Sequence, residues 1–121
     1  LCVISETSGW VQESGFWVSD KRPSAAPEGM RGAFQNVRRV FGPVAANVKR
    51  FEPGAEVAPG ITSMAAFGHS PGHTVFVVSS GNAKLTYMAD VTNHPALFVR
   101  NPDWSAIFDM DADAARATRR K

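Results

Sequence analysis

The stretch GHSPGHT at residues 68–74 leads directly into the segment that decides the fold. Two apolar runs follow it, at residues 75–78 and 85–89, and the sequence Ser-Ser-Gly-Asn at residues 79–82 separates them. Runs rich in β-branched and aromatic residues on either side of a Gly-Asn turn signal are typical of a β-hairpin. The sequence therefore predicts a hairpin that begins beside the two histidines of the quoted stretch.

The register of this hairpin brings two potential metal ligands together. If the loop is centred between Gly81 and Asn82, residues equally distant from it lie opposite each other, which places His73 opposite Asp90. Directly opposite residues have Cβ atoms about 5 Å apart. Imidazole and carboxylate groups are natural ligands of first-row transition metals, and of zinc in particular. Half of a metal site is thus predicted at the open end of the hairpin.

The same residues resemble a known family. Ser-Pro-Gly-His-Thr at residues 70–74, followed by a hairpin and by Asp90, is similar to the later motifs of the metallo-β-lactamase superfamily of hydrolases. Residues 51–95 as a whole resemble the branch that holds lactonases, arylsulfatase-like enzymes and phosphotriester hydrolases. The resemblance implies that His73 binds a metal ion and that Asp90 is a catalytic ligand that bridges two metal ions.

The resemblance also implies a fold, a cofactor and a class of reaction. The fold is an α/β (α+β) αββα sandwich with a mostly antiparallel sheet and flanking helices, and residues 1–121 are expected to form a single partial domain of it. An intact site in this superfamily holds two metal ions, usually zinc, with manganese or iron as alternatives. There, a metal-bound hydroxide attacks an ester, lactone, thioester or phosphoester, so the implied partner is a small-molecule substrate.

Most of the superfamily's metal ligands have no counterpart in the sequence. The main signature, H-x-H-x-D-H, is missing, since the three histidines lie at positions 69, 73 and 94 and none follows His94. A catalytic zinc ion normally needs three protein ligands, so we expect an internal fragment of a zinc-dependent hydrolase that is inactive alone. Absent strands would expose sheet edges, so a homo-oligomer or a swapped dimer is also expected.

Three other residues near the hairpin are weaker candidates for the site. His69 is expected to support the ligands, or to form a hydrogen bond within the turn, rather than to bind metal directly. Asn93 and His94 follow Asp90 on the loop that leaves the site. On that loop they either contact the substrate or lie on the surface.

Two other interpretations of function stay open. In the first, the chain is a non-catalytic remnant or an interaction module that has lost its metal. In the second, another chain supplies the missing histidines and completes the half-site. An interaction module should tolerate Asp90→Ala without loss of function. A completed site, by contrast, should bind metal only when the partner chain is present.

Composition limits the kind of protein. A chain of 121 residues with 44% hydrophobic content suffices for one modest domain. A net charge of +2 is too small and too dispersed to indicate nucleic-acid binding. No apolar run approaches the ~20 residues needed to span a bilayer, so no membrane partner is expected. The single cysteine, Cys2, excludes an intrachain disulfide and fits a reducing compartment. Together with the lack of such an apolar run, this predicts a soluble, cytoplasmic protein.

Hydrophobic patterning predicts the remaining elements. Apolar residues at i, i+4, i+7 and i+11 from Met30 define one face of a helix that begins near Glu28 and ends before Gly42. A second helix is expected from about Asp111, because an acidic start suits the helix dipole. Other short apolar runs are predicted to be strands, at residues 2–4, 48–51, 56–57, 61–67 and 96–99.

Aromatic residues are concentrated near the start of the sequence. Trp10, Phe16 and Trp17 either line a pocket or pack against neighbouring side chains.

Overall fold

The computed structural model describes residues 8–10, 16–17 and 28–121, so the strand predicted at residues 2–4 lies outside the described residues. The chain divides into two compact units, Leu1–Phe51 and Glu52–Lys121, which are described separately. The single domain expected from the sequence stays a prediction.

The first unit is organised around one amphipathic helix. Helix α1, Glu28–Phe41, has the bounds that its apolar periodicity predicts, and a 3₁₀ helix follows it at Gly42–Asn47. Strand β1, Ser8–Trp10, pairs in parallel with strand β2, Lys49–Phe51. The chain leaves the α-helix at Gly42 because glycine and the following proline do not continue it.

Two of the early aromatic residues pack on this helix. Phe34 is 1% exposed, and its ring centroid lies 5.6 Å from that of Phe16 and 4.9 Å from that of Trp17. Phe16 and Trp17 contact each other edge to face at 5.1 Å, a geometry that aromatic pairs favour. Of the two interpretations left open by the sequence, packing against neighbours is the one that describes these two rings.

The second unit contains a four-stranded antiparallel sheet in chain order. Its strands are β3 Glu56–Ala58, β4 Ile61–Ala65, β5 Thr74–Ser80 and β6 Ala83–Tyr87. Strands β5 and β6 form the predicted hairpin, and the pairs Ser79–Lys84 and Phe76–Tyr87 have the predicted register. Gly81 at φ +56° occupies the tight loop, a conformation that glycine adopts without steric cost.

The second hairpin strand ends earlier than the sequence predicts. Strand β6 stops at Tyr87, and Asp90 lies in a 3₁₀ turn, Ala89–Val91, rather than opposite His73 in the ladder. Ala89 has a φ of +46°, which takes the chain out of the extended conformation one residue before Asp90. The turn therefore aims the backbone N–H of Asp90 across the end of the hairpin.

The predicted strand at residues 96–99 is wrong, because Pro95–Phe98 forms a short helix, α2. Proline suits the first turn of a helix, and the carbonyl of His94 accepts the amide hydrogen of Phe98. An apolar run of only four residues does not distinguish strand from helix by periodicity, which explains the error.

The predicted C-terminal helix is confirmed. Helix α3 spans Ala112–Arg119, and the Asp111 carboxylate caps it by accepting the amide hydrogen of Ala114 at 2.9 Å. Together with α1 and α2, and with the antiparallel sheet, it confirms the α+β class. None of the helices in the described parts of the chain is long and apolar enough to cross a membrane. The cellular location stays a prediction.

Candidate metal centre

The loop that carries the two histidines is held against the N-terminal end of helix α3. Gly68 has a φ of +126°, and a Cβ built on it would lie 2.1 Å from the backbone nitrogen of Ala115. The carbonyl of Gly68 accepts the amide hydrogen of Asp111 at 2.9 Å, and that of His69 accepts the amide hydrogen of Met110 at 3.2 Å. Only glycine permits this approach, so Gly68 positions the loop that follows it.

The hydrogen-bond partners of His73 define its tautomer. Its Nδ1 lies 3.0 Å from the carbonyl oxygen of Ala66, which can only accept, so Nδ1 carries the proton. Its Nε2 lies 3.1 Å from the backbone nitrogen of Asp90, which can only donate, so Nε2 presents a lone pair. The ring is buried beside a core cluster of Ala66, Val75 and Val91. His73 is thus an imidazole held at both nitrogens, with Nε2 turned toward the backbone of Asp90.

The carboxylate of Asp90 lies between two polar neighbours. Asn93 Nδ2 donates to its Oδ1 at 3.4 Å, and His69 Nε2 lies 3.9 Å from its Oδ2. The side chain is 58% exposed, so water and a ligand both have access to it. The sequence correctly predicts that His73 and Asp90 lie together, but the contact between them runs through the Asp90 amide rather than through its carboxylate.

His69 lies on the inner side of the same cluster. Its ring centroid is 5.4 Å from that of His73, in an edge-to-face arrangement. Its Nδ1 donates to the carboxylate of Asp109 at 3.2 Å. The role that the sequence predicts for His69, support of the ligands or a hydrogen bond within the turn, stays a prediction.

A buried ion pair lies behind His69. The side chains of Asp109 and Arg119 are 0% and 3% exposed, and Arg119 Nη2 lies 2.6 Å from Asp109 Oδ2. Burial on its own would raise the pKa of Asp109. The hydrogen bond from Arg119, together with those from the Ala106 amide and His69, outweighs burial and holds this pKa below its ordinary value of 3.8. Asp109 is therefore an ionised carboxylate at neutral pH.

Asp109 is expected to make stability fall in acid. Since its pKa is lower in the folded chain, its contribution is present above about pH 3.8 and is lost as the pH falls through the folded value. The difference in free energy of unfolding between wild type and Asp109→Asn should narrow as the pH is lowered to about 2. Urea denaturation followed by circular dichroism at each pH measures this difference. A difference that does not change with pH contradicts the lowered pKa.

The sequence analysis did not single out Asp109 and Arg119, although the sequence contains a signal for them. Arg119 follows Ala112 and Ala115 at i+7 and i+4 spacing, so the arginine lies on the small, apolar face of α3. Asp109 interrupts an otherwise apolar pair, Phe108 and Met110. Two opposite charges at positions of apolar character are the pattern of a buried ion pair.

His94 is not bonded to the cluster within the described residues. It is exposed at the start of α2, and in the described part of the chain no hydrogen bond or ion pair joins its side chain to His69, His73 or Asp90. Asn93, by contrast, contacts the Asp90 carboxylate directly. The proposed substrate contact of either residue stays a prediction.

The donor atoms fit a metal ion in kind but not in number. An imidazole Nε2 and a carboxylate are suitable zinc donors. The hydrogen bond that His73 Nδ1 donates to the Ala66 carbonyl orients the ring in the way that ligand histidines are usually oriented. Across the described ranges 8–10, 16–17 and 28–121, no group of three His, Cys, Asp or Glu side chains is arranged to hold a metal ion. His73 and Asp90 on their own are therefore too few to hold a catalytic zinc ion.

Comparison with solved structures identifies the fold. The dizinc quorum-quenching lactonase AidC, solved with a product N-hexanoyl-L-homoserine, is similar to 95% of this chain with a TM-score of 0.81 and 26% identity. The hydrolase AbOPH of the beta-lactamase superfamily is similar to 93% of it, with a TM-score of 0.80 and 19% identity. No protein-family profile and no curated protein matches the chain.

The chain therefore carries part of the metallo-β-lactamase fold, and the resemblance of its sequence to that superfamily of hydrolases is confirmed by structure. Its structural neighbours include metal-dependent hydrolases. The chain spans 42% of the length of AidC and 40% of that of AbOPH.

Proposed function

We propose that the chain is part of a metal-dependent hydrolase that cleaves a small-molecule lactone or a related ester, thioester or phosphoester. The observation that carries the proposal is the meeting of the His73 lone pair and the Asp90 segment at the end of the hairpin. The likeness to a dizinc lactonase over 95% of the chain supports the same chemistry. A lactone is the substrate class that this likeness favours.

In this proposal His73 and Asp90 are two of the ligands of a zinc ion, with manganese or iron as alternatives. A bound metal ion would polarise the substrate oxygen and activate a water molecule for attack. The Ala66 carbonyl accepts the hydrogen of Nδ1 and so holds the His73 ring with Nε2 unprotonated, and Asp90 supplies a solvent-accessible carboxylate. Ligation by Nε2 would replace the hydrogen bond that it accepts from the Asp90 amide. Asn93 orients that carboxylate through its Oδ1.

The proposal requires further ligands from outside the described residues, because two donors do not make a catalytic zinc site. We infer that this chain alone has little or no hydrolytic activity. The remainder of the hydrolase of which this chain is a part, or another chain, is the expected source of the missing donors. In support, strand β6 is exposed along its whole length, and Leu85 on it is 66% exposed, which leaves an apolar sheet edge to be covered.

A non-catalytic remnant is the second candidate. The lack of a three-donor group among the described side chains favours it. In that case the hairpin and its histidines serve only to hold the fold, and metal ions bind without preference for this site.

Zinc binding tests the proposal. We expect the wild-type chain to bind Zn²⁺ weakly, and His73→Ala and Asp90→Ala each to weaken binding at least about tenfold, since each removes one of two donors. Zn²⁺ titration followed by calorimetry measures the affinity. Elemental mass spectrometry of the monomer and dimer fractions from gel filtration then gives the zinc bound per chain.

The matched control for this test is Asp113→Ala, which removes a carboxylate that is 91% exposed on helix α3. Its zinc affinity should equal that of wild type. If His73→Ala and Asp90→Ala bind zinc as the wild type does, the proposed site is wrong and the remnant interpretation is correct.

A further inference from the structure

The two edges of the four-stranded sheet differ in how they are protected. Edge strand β3 has only three residues, its register with β4 shifts between Glu56 and Ala58, and Pro59 follows it. Short length, an irregular register and proline are features by which natural proteins prevent an edge from pairing with another strand. Edge strand β6 has five residues in continuous register with β5 and contains neither proline nor glycine. Of these two edges, β6 is therefore the one that can accept a further strand.

The backbone groups of β6 that point away from the sheet belong to Lys84 and Thr86. The amide of Ser79 on β5 donates to the carbonyl of Gly60, on the side of β4, at 2.8 Å, so Ser79 does not bond to Lys84 opposite it. Bonded and non-bonded pairs alternate along antiparallel strands, so Lys84 and Thr86 are both at non-bonded positions. Within the described residues no strand lies beyond β6. The N–H and C=O groups of these two residues are thus available to another strand.

One face of β6 is apolar and exposed. Leu85 and Tyr87 are 66% and 46% exposed, and they lie opposite Val78 and Phe76 of β5 on the same face of the sheet. The two cross-strand pairs form an apolar stripe that ends at the outer edge of β6. A strand that pairs with β6 and alternates in the same way would continue this stripe.

We propose that the occupant of this edge is strand β6 of a second copy, paired antiparallel about a two-fold axis at Leu85. This register uses the whole strand and makes three kinds of pair: Leu85 with its own counterpart, Lys84 with Thr86, and Ala83 with Tyr87. Lys84 and Thr86 bond to each other across the axis because both present outward backbone groups, whereas the two leucines form a close, non-bonded pair. The small Ala83 leaves space for the ring of Tyr87.

Charge and strand length favour this register over its neighbours. A two-fold axis at Lys84 would place two lysines directly opposite each other, which is destabilising. An axis at Thr86 would pair only residues 85–87 of the strand with each other. With the axis at Leu85, each lysine faces a neutral threonine and the apolar stripes of the two copies join. A single pair of strands is a small interface, so the association is reversible and depends on concentration.

Sedimentation equilibrium of the full chain without added metal measures the association. Thr86→Pro removes an outward N–H and leaves the ladder with β5 intact, since an edge strand accepts proline where the N–H faces outward. By symmetry half of the bonds across the axis are lost, so the dissociation constant of the dimer should rise at least about tenfold. Thr86→Val, the matched control, keeps the N–H and should dimerise as wild type does. Far-ultraviolet circular dichroism shows whether both variants are folded.

Equal dissociation constants for these two variants overturn the proposal. A wild-type chain that stays monomeric at every concentration overturns it as well.

Cysteine cross-linking tests the register independently, in a Cys2→Ser background. Non-bonded antiparallel pairs have Cα atoms about 4.5 Å apart, which permits a disulfide. Leu85→Cys should therefore form a covalent dimer with oxidised glutathione, detected on a non-reducing gel. The control is Val78→Cys, on the same face but one strand further in, where the two cysteines would be three strand spacings or about 14 Å apart. If Leu85→Cys cross-links no faster than Val78→Cys, the register is wrong.

A segment of the same chain is the competing occupant of the edge. Hydrogen exchange at the Thr86 amide distinguishes the two, because protection by a second copy rises with protein concentration and is lost on dilution. Protection that is equal at every concentration shows that the chain covers its own edge, and it overturns the proposal. None of these measurements involves the candidate metal centre, so failure of the proposed function leaves their outcome unchanged.

Discussion

Gly68→Ala is expected to lower the free energy of unfolding by about 4 kcal/mol, combining backbone strain with a steric clash. The residue has a φ of +126°, which side chains rarely adopt, and the new Cβ would lie 2.1 Å from the Ala115 nitrogen and 2.4 Å from its Cα. Both atoms belong to the backbone of α3, so neither can move aside without displacing the helix. Urea denaturation followed by far-ultraviolet circular dichroism measures the loss.

Gly54→Ala is the matched control for this variant. Gly54 also has a positive φ, +91°, but a Cβ there would meet nothing within 4 Å. This variant should lower the free energy of unfolding only by the backbone strain, about 1–2 kcal/mol. If the two variants lose the same stability, helix α3 does not pack against Gly68.

The second large effect is expected from Arg119→Met, which leaves the Asp109 carboxylate buried without its partner. Removal of one member of a buried ion pair costs about 3–5 kcal/mol. The variant should also lose the bonds from Arg119 to the carbonyls of Val91 and Trp104. The free energy of unfolding in urea at neutral pH is again the measurement.

The control for the arginine variant is Arg116→Met, on the same helix. Arg116 pairs with Asp113, which is 91% exposed, and such surface pairs contribute about 0–1 kcal/mol. Addition of Asp109→Leu to Arg119→Met should recover much of the loss, because no buried charge then remains unpaired. A double variant that is less stable than Arg119→Met would show that the desolvated carboxylate is not the cause.

The elements that local patterning determines are predictable from the sequence. Helix α1 has both of its predicted ends because its apolar period and the Gly42 stop lie within one segment. The β5–β6 register follows from the Gly81–Asn82 loop, which fixes every pair on the hairpin. By contrast, α2 was not predictable, since its four residues are too few for a period to appear.

The candidate site was predictable only as far as the hairpin reaches. The hairpin register alone brings His73 close to Asp90. It does not reveal that Ala89 has a left-handed backbone conformation. Because of that conformation, His73 is contacted by the backbone amide of Asp90 rather than by its side chain. The contact of His69 with Asp109 joins residues 40 positions apart, on different elements. No local pattern encodes such a contact, because it depends on how α3 packs against the Gly68 loop.

The shortness of the β5–β6 loop also determines the order in which the site assembles. Hairpins close in about 1–10 μs, whereas contacts between distant segments form later because more chain entropy is lost in making them. The bond between His73 and Asp90 spans 17 positions across a single tight turn, and that between His69 and Asp109 spans 40. The two candidate ligands are therefore expected to meet while the chain is still folding, and the C-terminal helix then docks onto a ligand pair that already exists.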